Sequence, residues 1–281
     1  MKRKIKTTDL MNNWKTVGNY IATFLFGIVA SLGVTTYMSC HMKTKQVTEH
    51  TEKTHWGYAA ENGPNVWGQL NPEYGLCSVG IHQSPIDLVN PTPAELPPIT
   101  FNYRPTPLNI HNTGHTIQVA YQDGSWIEVD GTKYHLLQFH FHAPSEHMVT
   151  GNPYEMEMHL VHKSADGTLA VIGAFIKSGS VNTAFDTFWH RMPSVSGESV
   201  QDNSVVLNAS DLLPSTKYTY RYEGSLTTPP CSEGVKWFVL TTPVEMSHSQ
   251  IAAFKAILYG NNRPVQPLNE RELLVDTTED P

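Results

Sequence analysis

The chain has 281 residues, 40% hydrophobic and 16% charged, which is enough apolar material for one large core and excludes a disordered or low-complexity protein. Its formal net charge is −7, and because Lys2, Arg3, Lys4, Lys6 and Lys15 outweigh Asp9 to give the first twenty residues +4, the remainder carries −11. That balance leaves no basic surface for nucleic acid.

In chain order, the basic start precedes an apolar run over about 20–38, interrupted only by Thr, Ser and Gly, and no comparable run follows. Residues 1–40 read as a signal peptide or an N-terminal membrane anchor, and a run of about nineteen residues leaves both open. The protein is therefore expected to be exported, periplasmic or extracellular, with membrane attachment through this segment as the alternative to cleavage. Cys40 follows the run, but Tyr37, Met38 and Ser39 make a poor lipobox. Residues 41–54 are polar without an apolar period and read as a linker, leaving 55–281 as a single folded domain. Within it the apolar signals are short: strands are predicted at 86–89, 117–121, 126–129, 169–176 and 237–241, separated by Pro and Gly clusters. Only 181–191 and 247–258 carry helical spacing. The expected class is mainly β.

The most informative stretch is Gln138, Phe139, His140, Phe141, His142, with Glu157, Met158 and His159 beyond it. Side chains two apart on a strand point the same way, so Gln138, His140 and His142 share one face and the phenylalanines the other. If 156–161 is a neighbouring antiparallel strand, His159 brings a third imidazole to the first two. Three neutral nitrogens and an open fourth position form the ligand set of a catalytic Zn2+. Gln138 and Glu157 each stand two residues before a candidate ligand, on that ligand's face, where they can take its second ring N–H and fix the tautomer.

These segments, together with 56–58, 83–87, 145–147, 225–230 and 263–268, resemble the α-class carbonic anhydrases in the family's own order over about residues 55–276. The resemblance implies a large twisted mixed β-sheet with small peripheral helices, with 55–281 as the catalytic domain. It implies zinc-dependent hydration of carbon dioxide to bicarbonate and a proton, with zinc-bound hydroxide as nucleophile. The zinc ligands would be His140, His142 and His159. Thr227 would accept the hydroxide's proton in a hydrogen bond while giving its own to Glu146. His115 matches the proton-shuttle position, with Tyr58, Gln118 and Gln138 ordering intervening water. Thr113 stands where relatives often carry Asn, which bears on that polar lining. Val161, Val171, Leu226, Thr228, Val235 and Trp237 match the substrate pocket, an apolar recess suited to carbon dioxide. Cys77 and Cys231 match a disulfide of exported members, which would anchor the loop carrying Thr227.

Two alternatives stand beside this. His140, His142 and Glu146 also fit the His-x-His-x₃-Glu half of a cupin site, with Glu146 as a fourth ligand for iron or manganese, although the second cupin half is absent. The other is a carbonic-anhydrase-like binding domain without turnover, which the retention of all three histidines with Glu146 and Thr227 disfavours. The partner expected is a small molecule; oligomeric state is not readable from the sequence.

Overall fold

Phe139 and Phe141 explain how the histidine strand is held. They leave Thr132–His142 on the face opposite His140 and His142, and Phe141 meets Trp189 at 5.0 Å and Phe254 at 5.9 Å between ring centres. Those aromatics belong to the helices Thr183–Trp189 and His248–Lys255, so the metal-binding pattern is braced from behind by the largest apolar cluster. This computed structural model describes residues 55–278; the apolar run at 20–38, Cys40 and the linker at 41–54 lie outside the described residues.

Among the described residues, ten strands follow one another across a mixed sheet: Ser199–Leu207, Thr106–Asn112, Ile117–Ala120, Thr132–His142, Met156–Ser164, Leu169–Ser178, Glu233–Leu240, Thr219–Ser225, Leu274–Asp276 and Thr92–Ala94. Thr132–His142 and Met156–Ser164 are antiparallel, pairing His140 with His159 and His142 with Glu157. The neighbour expected at 156–161 is thus present and runs on to Ser164, with a bulge after Val161. Because directly paired residues share a face, the register writes two rows across the sheet. One, Ile110, Val119, Phe139, Leu160, Ile172 and Phe238, lies in the large core beneath the helices. The next, His111, Gln118, His140, His159 and Gly173, lies on the opposite face and is mostly polar.

The one-turn helices Trp67–Leu70 and Leu76–Val79 lie where no helix is predicted, while the two longest helices, Thr183–Trp189 and His248–Lys255, fall within the predicted segments and are shorter. Asn182 caps the first, its side chain accepting from Ala184 N–H, and leaves Val181 outside and exposed. Ser247 and Gln250 form a capping box on the second. Cys77 and Cys231 form the expected disulfide, with Cα atoms 5.1 Å apart and a sequence separation of 154. Closing a loop of that length is worth roughly 5 kcal/mol in the chain-entropy model. No helix among the described residues is long and apolar enough to cross a membrane.

His162, three residues past His159, is fully buried against the core, where Tyr103 Oη lies 2.8 Å from its Nε2. Burial holds its pKa down at about 3. An unfolded histidine binds its proton near 6.5, so the unfolded chain is the better proton acceptor from there down to about 3. The stability given by a neutral His162 is therefore complete above 6.5 and is lost as pH falls, at up to roughly 1.4 kcal/mol per unit. Denaturant melts of wild type and the Tyr103→Phe, His162→Phe double variant, from pH 7 to 4, are expected to show a shallower acid decline in the variant; parallel declines would refute the assignment.

Candidate active site

Each of the three imidazoles is oriented by a different acceptor. His140 Nδ1 lies 2.9 Å from Gln138 Oε1, His142 Nδ1 lies 2.6 Å from the Asn261 carbonyl, and His159 Nε2 lies 2.9 Å from Glu157 Oε1. Carbonyl and carboxylate oxygens only accept, so these ring nitrogens donate and carry the proton. The lone pairs are left on His140 Nε2, His142 Nε2 and His159 Nδ1. One ligand atom from each ring falls in a group whose members are all within 4.8 Å of one another. Burial, then the neighbouring imidazoles, push the His140 pKa well below its usual value; burial brings that of His142 down to about 4. The rings are held neutral, as ligands must be.

The donor set fits a divalent cation. His142 Nε2 is buried without a hydrogen-bond partner, and so is Glu146 Oε2, 3.5 Å from it. Burying two such atoms costs about 1–3 kcal/mol each unless something at the site satisfies them. Glu146 Oε2 also lies 3.9 Å from His159 Nδ1, while Oε1 accepts from the Arg263 backbone N–H at 2.8 Å. Burial raises the Glu146 pKa to about 7, against the pull of His159, the Arg263 N–H and the Thr227 hydroxyl. The Thr227 hydroxyl is thus close enough to Glu146 to favour its charged form.

Glu157 is the hub of the surrounding support. Beyond His159 it accepts from the backbone N–H groups of Glu146 and His147 at 2.9 and 2.8 Å and from His147 Nδ1 at 2.7 Å. Burial alone would raise its pKa, but His147 and His159 outweigh that and hold it well below the usual carboxylate range. His147 Nε2 lies 2.7 Å from Tyr222 Oη, itself 2.8 Å from Ser84 Oγ. Gly173, opposite His159, leaves room for this carboxylate: a Cβ there would stand 3.1 Å from Glu157 Oε1.

Of the expected pocket, Val171, Val235 and Trp237 fall in one buried apolar cluster, with Val161 and Leu226 packed against it. Trp237 meets the His159 ring at 4.9 Å, which places this cluster beside the imidazoles. Thr228 is half-buried in the same loop as Thr227, its carbonyl accepting from Cys231 N–H at 2.9 Å. The disulfide therefore does end in that loop.

His115 is joined to the site through Asn261, whose Nδ2 donates to the His115 carbonyl while its own carbonyl holds His142. The His115 ring stacks on Trp56, with centres 3.7 Å apart and planes 11° apart, and His55 lies 5.1 Å away. Burial first, and His55 second, lower its pKa. The Thr113 hydroxyl is absorbed by the loop, donating to the Thr116 carbonyl and accepting from the N–H groups of His115 and Thr116. It shapes the His115 turn and does not extend the polar lining. Tyr58 is nearby, edge-on to His115 at 6.5 Å, with its hydroxyl buried and unpaired. Gln118 lies between His111 and His140 in the register.

Sequence reasoning gave no role to Asn261, Arg263, His147, Tyr222 or Ser84. Asn261 alone uses its carbonyl on His142, its Oδ1 on Ala143 N–H and its Nδ2 on the carbonyls of His115 and Phe141. Arg263, buried, donates to Gln83 Oε1 and to the carbonyls of Ser84 and Cys77, tying the disulfide region to the turn that holds Glu146. For three of them the signal lay in stretches that carry the family resemblance, Ser84 in 83–87, His147 in 145–147 and Arg263 in 263–268, while Asn261 and Tyr222 stand just outside those stretches and had none.

Fold and site together define a protein in which a large mixed sheet presents three tautomer-fixed histidines, able to hold a metal ion, beside an apolar recess. Residues 62–277 match the family model described as eukaryotic-type carbonic anhydrase. A carbonic anhydrase of Nostoc sp. is 45% identical over 223 residues, covering 77% of this chain and 84% of the relative. Among solved structures, a hyperthermostable carbonic anhydrase from an active hydrothermal vent chimney superposes with a TM-score of 0.76 at 48% identity, covering 79% of this chain and 100% of the other. The α-carbonic anhydrase from Thermovibrio ammonificans, solved with the inhibitor sulfanilamide, gives 0.76 at 44% identity, covering 78% and 98%. The chain belongs to the α-carbonic anhydrase family and is an enzyme of carbon dioxide hydration. That membership sets aside the cupin reading, and the relatives named carbonic anhydrase at 42–45% identity speak against a binding domain without turnover.

Proposed function

We propose that this enzyme hydrates carbon dioxide at a Zn2+ ion held by His140 Nε2, His142 Nε2 and His159 Nδ1, with Thr227 and Glu146 orienting the nucleophile and His115 exporting the proton. The observation that carries this is the convergence of three lone pairs, each freed because a separate acceptor takes the other ring N–H. Zinc held by three neutral ligands lowers the pKa of a coordinated water to about 7 and so supplies hydroxide near neutrality.

The chain's own residues do the rest. Thr227 accepts a hydrogen bond from the attacking oxygen because its own proton is turned toward Glu146, which aims a lone pair at the incoming carbon. Val161, Val171, Leu226, Val235 and Trp237 hold carbon dioxide by apolar contact, and Thr228 borders that recess. Each turnover leaves one proton to export, and an imidazole is the side chain whose ordinary titration range suits the task. His115 accepts it through water ordered by Tyr58, Gln118 and Gln138, and passes it to buffer. Export of the protein, with residues 1–40 as signal or anchor, belongs to the same proposal and agrees with the Cys77–Cys231 disulfide, since such bonds persist in oxidising compartments.

Chelation of the full-length protein is expected to abolish stopped-flow hydration, and one equivalent of zinc to restore it. His115→Ala should keep its zinc, match wild type in abundant small buffer and fall about tenfold or more when buffer is scarce. Full activity without metal would reject the zinc site, and equal loss in both buffers would reject the shuttle.

A further inference from the structure

We propose that His111 is a second proton acceptor at the mouth of the same site, working in parallel with His115. His111 pairs directly with Gln118, and Gln118 with His140. The three side chains therefore leave the sheet on one face, while the adjoining row of Ile110, Val119 and Phe139 is fully buried on the other. Two strand spacings separate His111 from His140, roughly 10 Å between Cα atoms, with only the Gln118 side chain intervening. That span is small enough for a short run of water to bridge, and the Gln118 amide can both donate to such water and accept from it.

The ring is oriented for the task. His111 Nδ1 lies 2.9 Å from the Glu198 carbonyl, an acceptor only, so Nδ1 keeps its proton and the lone pair is on Nε2. No described residue bonds to that Nε2, no carboxylate pairs with the ring, and the residue is half-buried, open to water on one side. Protonation at Nε2 leaves the Nδ1 bond in place, and release of the Nε2 proton to a buffer base returns the starting state. The ring needs no rotation.

His115 is placed less freely. It is sandwiched against Trp56 with His55 close by, and both burial and His55 make it a weaker base than an exposed imidazole. A second, unstacked imidazole on the same face gives the proton an exit that does not require that stack to open.

The proposal rests on the zinc-site function and proton export proposed above. The test compares zinc-loaded full-length wild type, His115→Ala, His111→Gln and the double variant; glutamine can still donate to the Glu198 carbonyl but cannot carry a proton. In abundant buffer, where buffer base takes the proton directly, the double variant is expected to hydrate carbon dioxide within about twofold of His115→Ala. In scarce buffer the double variant should fall about three- to tenfold below His115→Ala, and added free imidazole should restore it. A double variant equal to His115→Ala in scarce buffer overturns the role of His111 and leaves that of His115 standing. A double variant impaired in abundant buffer, or not rescued by imidazole, also overturns it, since His111 would then be structural. Rates insensitive to buffer in all four would instead remove the proton-export reading beneath it.

Discussion

His142→Ala is expected to remove metal and hydration activity together, the largest effect of any single substitution in this chain. His142 is buried at 1% exposure, its Nε2 has no protein partner, and its Nδ1 is tied to the Asn261 carbonyl at 2.6 Å. Alanine takes away one of three ligands and leaves a buried carbonyl without its donor, so both affinity and local order suffer. A graded series sets the scale. Gln138→Ala, which removes the acceptor that orients His140, and Glu157→Gln, which weakens the one that orients His159 and also holds the His147 ring and the backbone of Glu146 and His147, should each weaken zinc binding by about 10- to 100-fold. His142→Ala should exceed both. Metal content by elemental analysis and hydration rate are read on the same samples, and a variant with one bound zinc and a normal rate would refute the ligand assignment. Melting of each apo-protein separates loss of metal from loss of fold.

The histidine pattern was legible because a strand's twofold repeat converts spacing directly into facing. Gln138 and Glu157 could be placed on the faces of their neighbouring histidines for the same reason, and the register sets His140 opposite His159 and Glu157 opposite His142. The two longest helices were legible from their apolar spacing, whereas the one-turn helices Trp67–Leu70 and Leu76–Val79 are too short to show a period. What could not be read were contacts made across long stretches of chain. Asn261 reaches His142 over 119 residues from a segment with no periodic signal, and nothing local marks its carbonyl as the group that fixes a tautomer. The strand Ser199–Leu207 was missed because it stands at the end of the sheet order, largely exposed, and its sequence alternates too weakly to show a buried face. Gly173 carries no pattern at all; its meaning is the Glu157 oxygen that a Cβ would crowd.

The orienting pair is expected to behave as one unit. Thr227 is 6% exposed and Glu146 1%, and Glu146 is positioned from both sides: its Oε1 by the Arg263 N–H, its backbone by Glu157. Thr227→Ala deletes the acceptor for the nucleophile's proton, and removal of one such oriented hydrogen bond at a reacting centre typically costs about 10²–10³ in rate. Glu146→Gln leaves the threonine in place but gives it a weaker acceptor, so its proton is free to turn toward the nucleophile and the orientation is lost by another route. Both variants should keep zinc, because neither residue belongs to the histidine group. Thr227→Ser should retain most activity, since it preserves the hydroxyl. The double variant Thr227→Ala, Glu146→Gln is expected to be about as slow as the worse single variant, because the second substitution removes an interaction that has already gone. If the two losses instead multiplied, Glu146 would be acting independently of Thr227, through His142 Nε2 at 3.5 Å, and the hydrogen-bond chain proposed here would be wrong.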